Sequence, residues 1–429
     1  MITALALVPA LLTFVQDAKA APPKVWTQAE LEAVSAEIKS DIETMRGTKF
    51  QRPVKVKVTD KKGFIEYARK RQEKTETPER KARDEWNAKL LGLVPIDMNL
   101  QAALEKLLEG QVGGFYDPGS DTFYLMDSFG GDLARIILAH ELTHALDDQC
   151  FDLDGQLAKL HQESDAEFAF QAVVEGSGTS AMNQWTMQHL KDLDRAALLE
   201  SSDLETQGLA EAPQFLWKPL IAAYLRGEGF LVHTAGMNVG MKASKTEDIR
   251  RAFEHPPRSS EQILHPDKYW DADKVDEPRK VSVDASKLQS GWKVAGEDTL
   301  GEITLALVTT PLDQRKPFDP KNPLSILGIQ YTNKAAEGWG GDRAVLLEKG
   351  DARVLWLVTA WDRPEDAQEF QAAVAAVFPD DPKAAIQHRI ERPGDADVVV
   401  VVASHGVAPG DVPTLTWKVE PKAKPDEKR

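Results

Sequence analysis

The chain has 429 residues, a formal charge of −16 and a single cysteine. That length is enough for two domains, and the lone cysteine excludes the small folds stapled by disulfides, so stability must come from apolar cores. The acidic balance argues against nucleic acid and anionic membrane surfaces as partners.

Residues 1–20, MITALALVPALLTFVQDAKA, hold a short apolar core followed by Ala18-Lys19-Ala20, a small-x-small cleavage pattern. This reads as a secretory signal peptide and predicts a secreted or periplasmic protein. No Lys or Arg precedes the core, which leaves an uncleaved anchor open, but neither this run nor any later one is long enough for a comfortable membrane span.

Leu31, Val34, Ile38, Ile42 and Met45 recur at helical spacing, predicting an amphipathic helix over 29–46 that ends near Gly47. Residues 53–59, PVKVKVT, alternate like a half-exposed strand. A charged helical stretch over 62–89, interrupted near 75–78, and a helix over 100–108 follow. GGFYDPGSDTFYL, residues 113–125, places two aromatic runs around Asp117-Pro118-Gly119-Ser120, a hairpin signal. Asp132 is the expected cap of the next helix.

That helix contains IILAHELTHALDD, residues 136–148, in which His140, Glu141 and His144 spell HExxH. Residues four apart on a helix are about 6 Å apart along the axis and rotated by roughly 40°, so both imidazoles can reach one metal ion. Glu141 lies about 100° from His140, beside the metal rather than on it. It is placed to take a proton from a water that zinc has made acidic. Leu138, Leu142 and Ala145 lie on the opposite face, which predicts a buried helix with its histidines aimed at a cleft.

HELTHA resembles the zinc helix of the thermolysin-like clan, the gluzincins. The resemblance implies a metallopeptidase fold in which helix, strand and hairpin ahead of the metal helix form the upper lobe. It also implies an edge strand that pairs with extended peptide substrate, here residues 115–117 or 123–125. The alternative is that the hairpin only packs against the metal helix.

A catalytic zinc wants three protein ligands and an open position. Three residues are candidates for the third. Cys150 stands six residues after His144, where metzincins carry a histidine, but the glycine those enzymes need is Asp147 here. His161 could reach only from a loop. Glu175 lies in AEFAFQAVVEGS, residues 166–177, which reads as a second helix; a lone carboxylate among Ala172, Val173 and Val174 is costly to bury unless paired or metal-bound. Gluzincins take a glutamate ligand from a downstream helix, so the resemblance also implies Glu175. Where they place an orienting aspartate, this chain has Thr179, leaving Asp165, Asp148 and Thr179 as possible partners of the zinc histidines. The same enzymes stabilise the oxyanion with a downstream histidine and tyrosine. His233, His255, His265 and Tyr269 are the candidates here, and His265, held between Leu264 and Pro266, is the preferred one.

Helix continues over 180–197, a polar connection runs over 199–212, and apolar content resumes over 219–241. GFYD, HELTHALDDQ, VVEG and PPRSSEQILHP together resemble a group of exported bacterial and archaeal zinc metallopeptidase-like proteins, over residues 114–269. DADKVDEP, residues 271–278, reads as a linker. Beyond it, a helix over 300–311, strands over 343–349, 353–360, 385–391 and 398–403, and a helix to Phe378 capped by Asp362 and Glu365 predict a smaller α+β unit. GWGGDR, residues 338–343, lacks the Lys-Ser/Thr of a phosphate loop and reads as a tight turn.

The expected architecture is therefore α+β: signal peptide 1–20, a zincin-like catalytic domain over 21–275, an α+β domain over 276–420 and a charged tail over 421–429. The expected activity is zinc-dependent hydrolysis of peptide bonds, with Zn2+ on His140, His144 and Glu175, and Glu141 as base and then acid. Two other readings stay open: a non-catalytic zinc-bound scaffold that binds a partner, and hydrolysis of a non-peptide amide such as cell-wall material. A scaffold needs ligands but has no use for Glu141.

Overall fold

The computed structural model describes residues 5–7, 26–109, 112–160, 163–194, 207–234, 242–319 and 322–422. The expected signal peptide therefore lies outside the described residues except for Leu5–Leu7 (β1), and His161 and most of the charged tail lie outside as well.

The first half opens with α1 (Gln28–Arg46), set by a capping box of Thr27 and Glu30 and ended by Gly47 at φ 61°. Then come β2 (Lys55–Thr59), α2 (Lys61–Thr75), α3 (Pro78–Leu90), α4 (Leu100–Glu109), β3 (Val112–Asp117), β4 (Thr122–Met126) and α5 (Gly131–Phe151). The strands form one sheet in the order β1-β3-β4-β2, with β4 antiparallel to β3 and parallel to β2. Residues 123–125 thus sit inside the sheet and have no free edge. The other arm, residues 115–117, is on β3, whose outer side carries β1 through Leu5 opposite Phe115. Asp132 does not cap α5; the N-cap is Gly130, without a side-chain bond, and Asp132 instead accepts the Asp194 N–H at 2.6 Å.

Next are α6 (Leu153–Lys159) and α7 (Ser164–Gln188), which joins the two helical runs read from sequence into one. α8 (Gln207–Glu211), α9 (Gln214–Leu231), α10 (Thr246–Glu254), α11 (Ser260–Leu264) and α12 (Asp267–Trp270) complete a helical layer. One core joins α1, the first sheet, α5 and the end of α7 through Ile38, Phe123, Leu142 and Trp185. α5 and α7 are buried on nearly every side, which is why neither shows a clean amphipathic stripe.

The second half contains β5 (Val281–Asp284), β6 (Lys293–Asp298), α13 (Gly301–Thr309), β7 (Trp339–Lys349), β8 (Ala352–Trp361), α14 (Pro364–Val377), β9 (Ile386–Glu391), β10 (Val398–His405) and β11 (Thr416–Val419). A five-stranded antiparallel sheet runs β6-β7-β8-β10-β9, and β5 pairs with β11 as a separate ribbon. One face of the large sheet packs on α3, α13 and α14. The other is covered by the ribbon through Val281 and by Trp292 and Leu415 of the adjoining loops.

Three expectations are corrected here. GWGGDR is the start of β7 with a register shift between Trp339 and Gly341, not a tight turn. Asp362 and Glu365 form no capping box: the N-cap of α14 is Arg363, and the Asp362 carboxylate takes Lys268 and Lys422. The residue 271–278 stretch does not separate two cores. Ile303, Phe318 and Tyr331 share a core with Phe170, Phe230 and Ile263, and Leu90 and Leu91 share one with Leu355 and Val399. Asp276 inside the supposed linker is buried and accepts from Lys268. The chain is α+β throughout, with its halves interleaved.

Candidate metal centre

α5 carries His140 and His144 one turn apart, and α7 runs against it with Glu175. His140 Nε2 is 2.8 Å from His144 Nε2, and the Glu175 Oε2 atom lies 3.2 Å from the first and 3.4 Å from the second. A tetrahedral zinc with bonds of about 2.0–2.2 Å holds its donor atoms roughly 3.3 Å apart. The two carboxylate separations match that spacing. The nitrogen pair is tighter, so seating an ion spreads the rings by about half an ångström. Glu141 brings a carboxylate oxygen within 4.8 Å of a ring nitrogen of each histidine. Three lone-pair atoms thus face one another from two helices, with the proton acceptor beside them.

The electrostatics follow from that geometry. Burial raises the pKa of Glu175, but both imidazoles overcome it and bring it down to about 2. Burial and His144 hold His140 below its ordinary value. For His144 burial acts downward too, yet Glu175, with Glu141 and Asp147 adding, lifts it to about 9. The donor set by itself therefore holds an imidazolium–carboxylate pair, and a divalent cation would supply the same compensation.

Several residues that the sequence reading passed over build this site. Gly178 lets α7 approach: a Cβ there would stand 2.7 Å from the His140 ring and 2.8 Å from the His144 ring. Its main chain also favours protonated His140. Tyr224 of α9 stacks on the His140 ring, centroids 5.7 Å apart and planes 18° from parallel. Behind His144, the buried Arg46 guanidinium donates to Asp147 and Ser177, at 2.7 Å to the latter, tying α1, α5 and α7 together. α7 and α9 touch backbone to backbone, since a Cβ on Gly176 would meet the Gly227 carbonyl carbon at 2.2 Å. The signal for these was present as Gly176-Ser177-Gly178 within an apolar helix, a mark of close approach.

The other candidates fall elsewhere. Asp148 accepts from Tyr116 and from the Leu153 N–H, with burial pushing it to about 6. Asp165 accepts from Ser260 N–H at 2.9 Å. Neither bonds His140 or His144, and the buried Thr179 hydroxyl has no hydrogen-bond partner among the described residues. Cys150 is half-buried near the end of α5, its thiol pushed up by burial. His233 pairs with Asp248 and stacks on Trp270, His255 is exposed, and Tyr269 donates to the His255 carbonyl. His265 Nε2 is 2.9 Å from the buried Glu302 carboxylate of α13, which also accepts from Thr332.

The PPRSSEQILHP string has a structural assignment. Ser259 caps α11, Ser260 donates its N–H to Asp165 and its hydroxyl accepts from Ile303 N–H, Gln262 donates to the Asp276 carbonyl, and Glu261 takes Lys268. Of its polar groups Ser260, through Ile303, and His265, through Glu302, reach the second half, and the rest hold the segment to itself and to its neighbours.

A family model described as a domain of unknown function (DUF8575) matches residues 288–410, the region of the five-stranded sheet. Searches of curated proteins and of solved structures return no match.

Proposed function

We propose that the protein is an exported zinc-dependent metallopeptidase with a zincin-like first half. What carries the reading is the convergence of His140 Nε2, His144 Nε2 and Glu175 Oε2 within 3.4 Å of one another, with Glu141 adjacent. The sheet order does not add to it, because β4 is flanked on both sides and the outer side of β3 is paired with β1. His140, His144 and Glu175 would hold the ion. Bound there, zinc would acidify a water and polarise the scissile carbonyl. Glu141 then takes the proton on its carboxylate and passes it to the departing amine, a group transfer that needs no ligand role. Tyr224 and Gly178 fix the plane of the His140 ring, and the Arg46–Asp147–Ser177 cluster fixes the two helices.

One observation favours a second reading, a closed structural zinc site in a binding protein: His140, Glu141, His144 and Glu175 are all 3 % exposed or less. Zinc content and protein-substrate cleavage, measured side by side for the native chain and Glu141→Gln, separate the two. The peptidase reading expects both proteins to keep zinc and the variant to lose about 10²–10⁴-fold in turnover. Equal turnover in the variant, or zinc with no hydrolysis in the native chain, overturns it.

A further inference from the structure

A hollow of about 910 Å³ lies where the two halves meet, away from the zinc-site side chains. Its floor is the outer edge of β5. That strand has one sheet neighbour, β11, with Ser282 opposite Lys418 and the Lys280 carbonyl accepting from Glu420 N–H. In an antiparallel ladder the directions alternate, so the N–H and C=O groups of Val281 and Val283 point the other way. On that side Arg279 N–H already donates to the Gly340 carbonyl at 2.6 Å, which leaves Val281 and Val283 as the open stretch lining the hollow. Val281, Ser282 and Val283 all line it, opposite Leu160 and Pro256. An unpaired strand edge beside an apolar wall is the geometry of strand addition.

Charge identifies what fits. Arg279 is engaged by Asp397, and Arg343 by Glu163 and Glu297, so these cations are compensated within the wall. Lys159 and Lys280 are exposed at the rim with no acidic partner among the described residues, and Arg258 is only loosely paired, 3.5 Å from Glu277. Against them stands the exposed Glu254. Over the whole lining Lys159, Arg258, Arg279, Lys280 and Arg343 stand against Glu163, Glu254, Glu297 and Asp342, so the lining is close to neutral on a chain of charge −16, and its unengaged cations are Lys159 and Lys280.

We propose that this hollow binds an extended acidic polypeptide, which adds as a strand to β5 while its carboxylates meet Lys159 and Lys280. Binding here does not rest on the metal chemistry; if that chemistry is also present, the hollow is a holding site for acidic substrates at a distance from the scissile bond.

The test uses the full chain and a fluorescent ten-residue peptide alternating glutamate and valine, with a lysine-for-glutamate peptide as control, read by anisotropy. The acidic peptide should bind, more weakly as salt is added, and the control should not. Lys159→Glu combined with Lys280→Glu, both at exposed positions, should weaken binding at least about tenfold. Val283→Pro should abolish it, because proline removes an N–H that faces the hollow while the ladder to β11 keeps its bonds. Glu141→Gln and the zinc-stripped protein should bind as the native chain does. The proposal is overturned if the acidic peptide fails to bind, if the control binds equally, if the double lysine variant is unaffected, or if binding is lost in Glu141→Gln and so belongs to the metal centre.

Discussion

The metal centre and the joint between the halves are both buried and both crowded with ionisable side chains, yet they are built on opposite plans. At the joint, unlike groups meet: Lys268 lies among Glu261, Asp276 and Asp362, and His265 donates to Glu302. At the candidate metal centre, two imidazole nitrogens and a carboxylate oxygen are turned toward one point. At the joint the positive charge is a fixed lysine, whereas at the candidate metal centre it is a proton that Glu175 holds on His144, a place that a divalent cation could take. Buried charge alone does not distinguish them; whether the positive charge is a fixed side chain or an exchangeable proton does.

The widest break in that contrast is to remove the joint altogether. A protein ending at Asp276 exposes Leu90, Leu91, Leu93 and Val94, which pack on the large sheet. At about 1.5–3 kcal/mol for each such side chain, the loss is comparable to the roughly 5–15 kcal/mol that a domain has in total. The truncated protein should fail to fold, seen as loss of a cooperative thermal transition and of zinc binding together. A folded, zinc-binding fragment would mean that the joint is dispensable.

A smaller effect is expected from His265→Ala, which takes one partner from Glu302. Stability should fall by about 1.5–3 kcal/mol, the worth of a hydrogen bond to a charged group, while kcat on a protein substrate stays unchanged. A hundredfold drop in kcat with the fold intact would move His265 from the joint to the oxyanion.

A further effect concerns pH. Burial, with Asp342 and Glu302 adding, pushes Asp165 up to about 8, against about 3.9 in an unfolded chain. Between those values the folded state binds the extra proton, so stability falls as pH rises from about 4 to about 8. Asp165→Asn removes that slope and can still accept from Ser260. The melting temperature of the variant relative to the native chain should therefore climb between about pH 5 and 8. A constant difference would show Asp165 ionised and compensated.

Much of this was legible in the chain. HExxH placed His140, Glu141 and His144 because helical spacing is local, and Glu175 followed from the cost of an isolated carboxylate in an apolar helix. What was not legible depends on long-range pairing. Arg46 meets Asp147 across 101 positions and His265 meets Glu302 across 37, and no local pattern marks either. The short strands β5, β6 and β11 were missed for the same reason: their alternation is weak, and register with distant partners creates them. The linker reading failed because charged residues normally mark solvent, while here Asp276 and Lys268 compensate one another inside. Asp132 and Asp362 failed as caps because each carboxylate found a tertiary partner instead.

The most direct measurement is anomalous scattering at the zinc edge from crystals of the full chain grown with zinc, alongside Glu175→Ala. The native protein should show one strong peak about 2.0–2.2 Å from His140 Nε2, His144 Nε2 and Glu175 Oε2. In Glu175→Ala that peak should weaken or vanish, while the joint stays intact. A peak on other residues, or full occupancy in the variant, would contradict the assignment of these three side chains as the metal site.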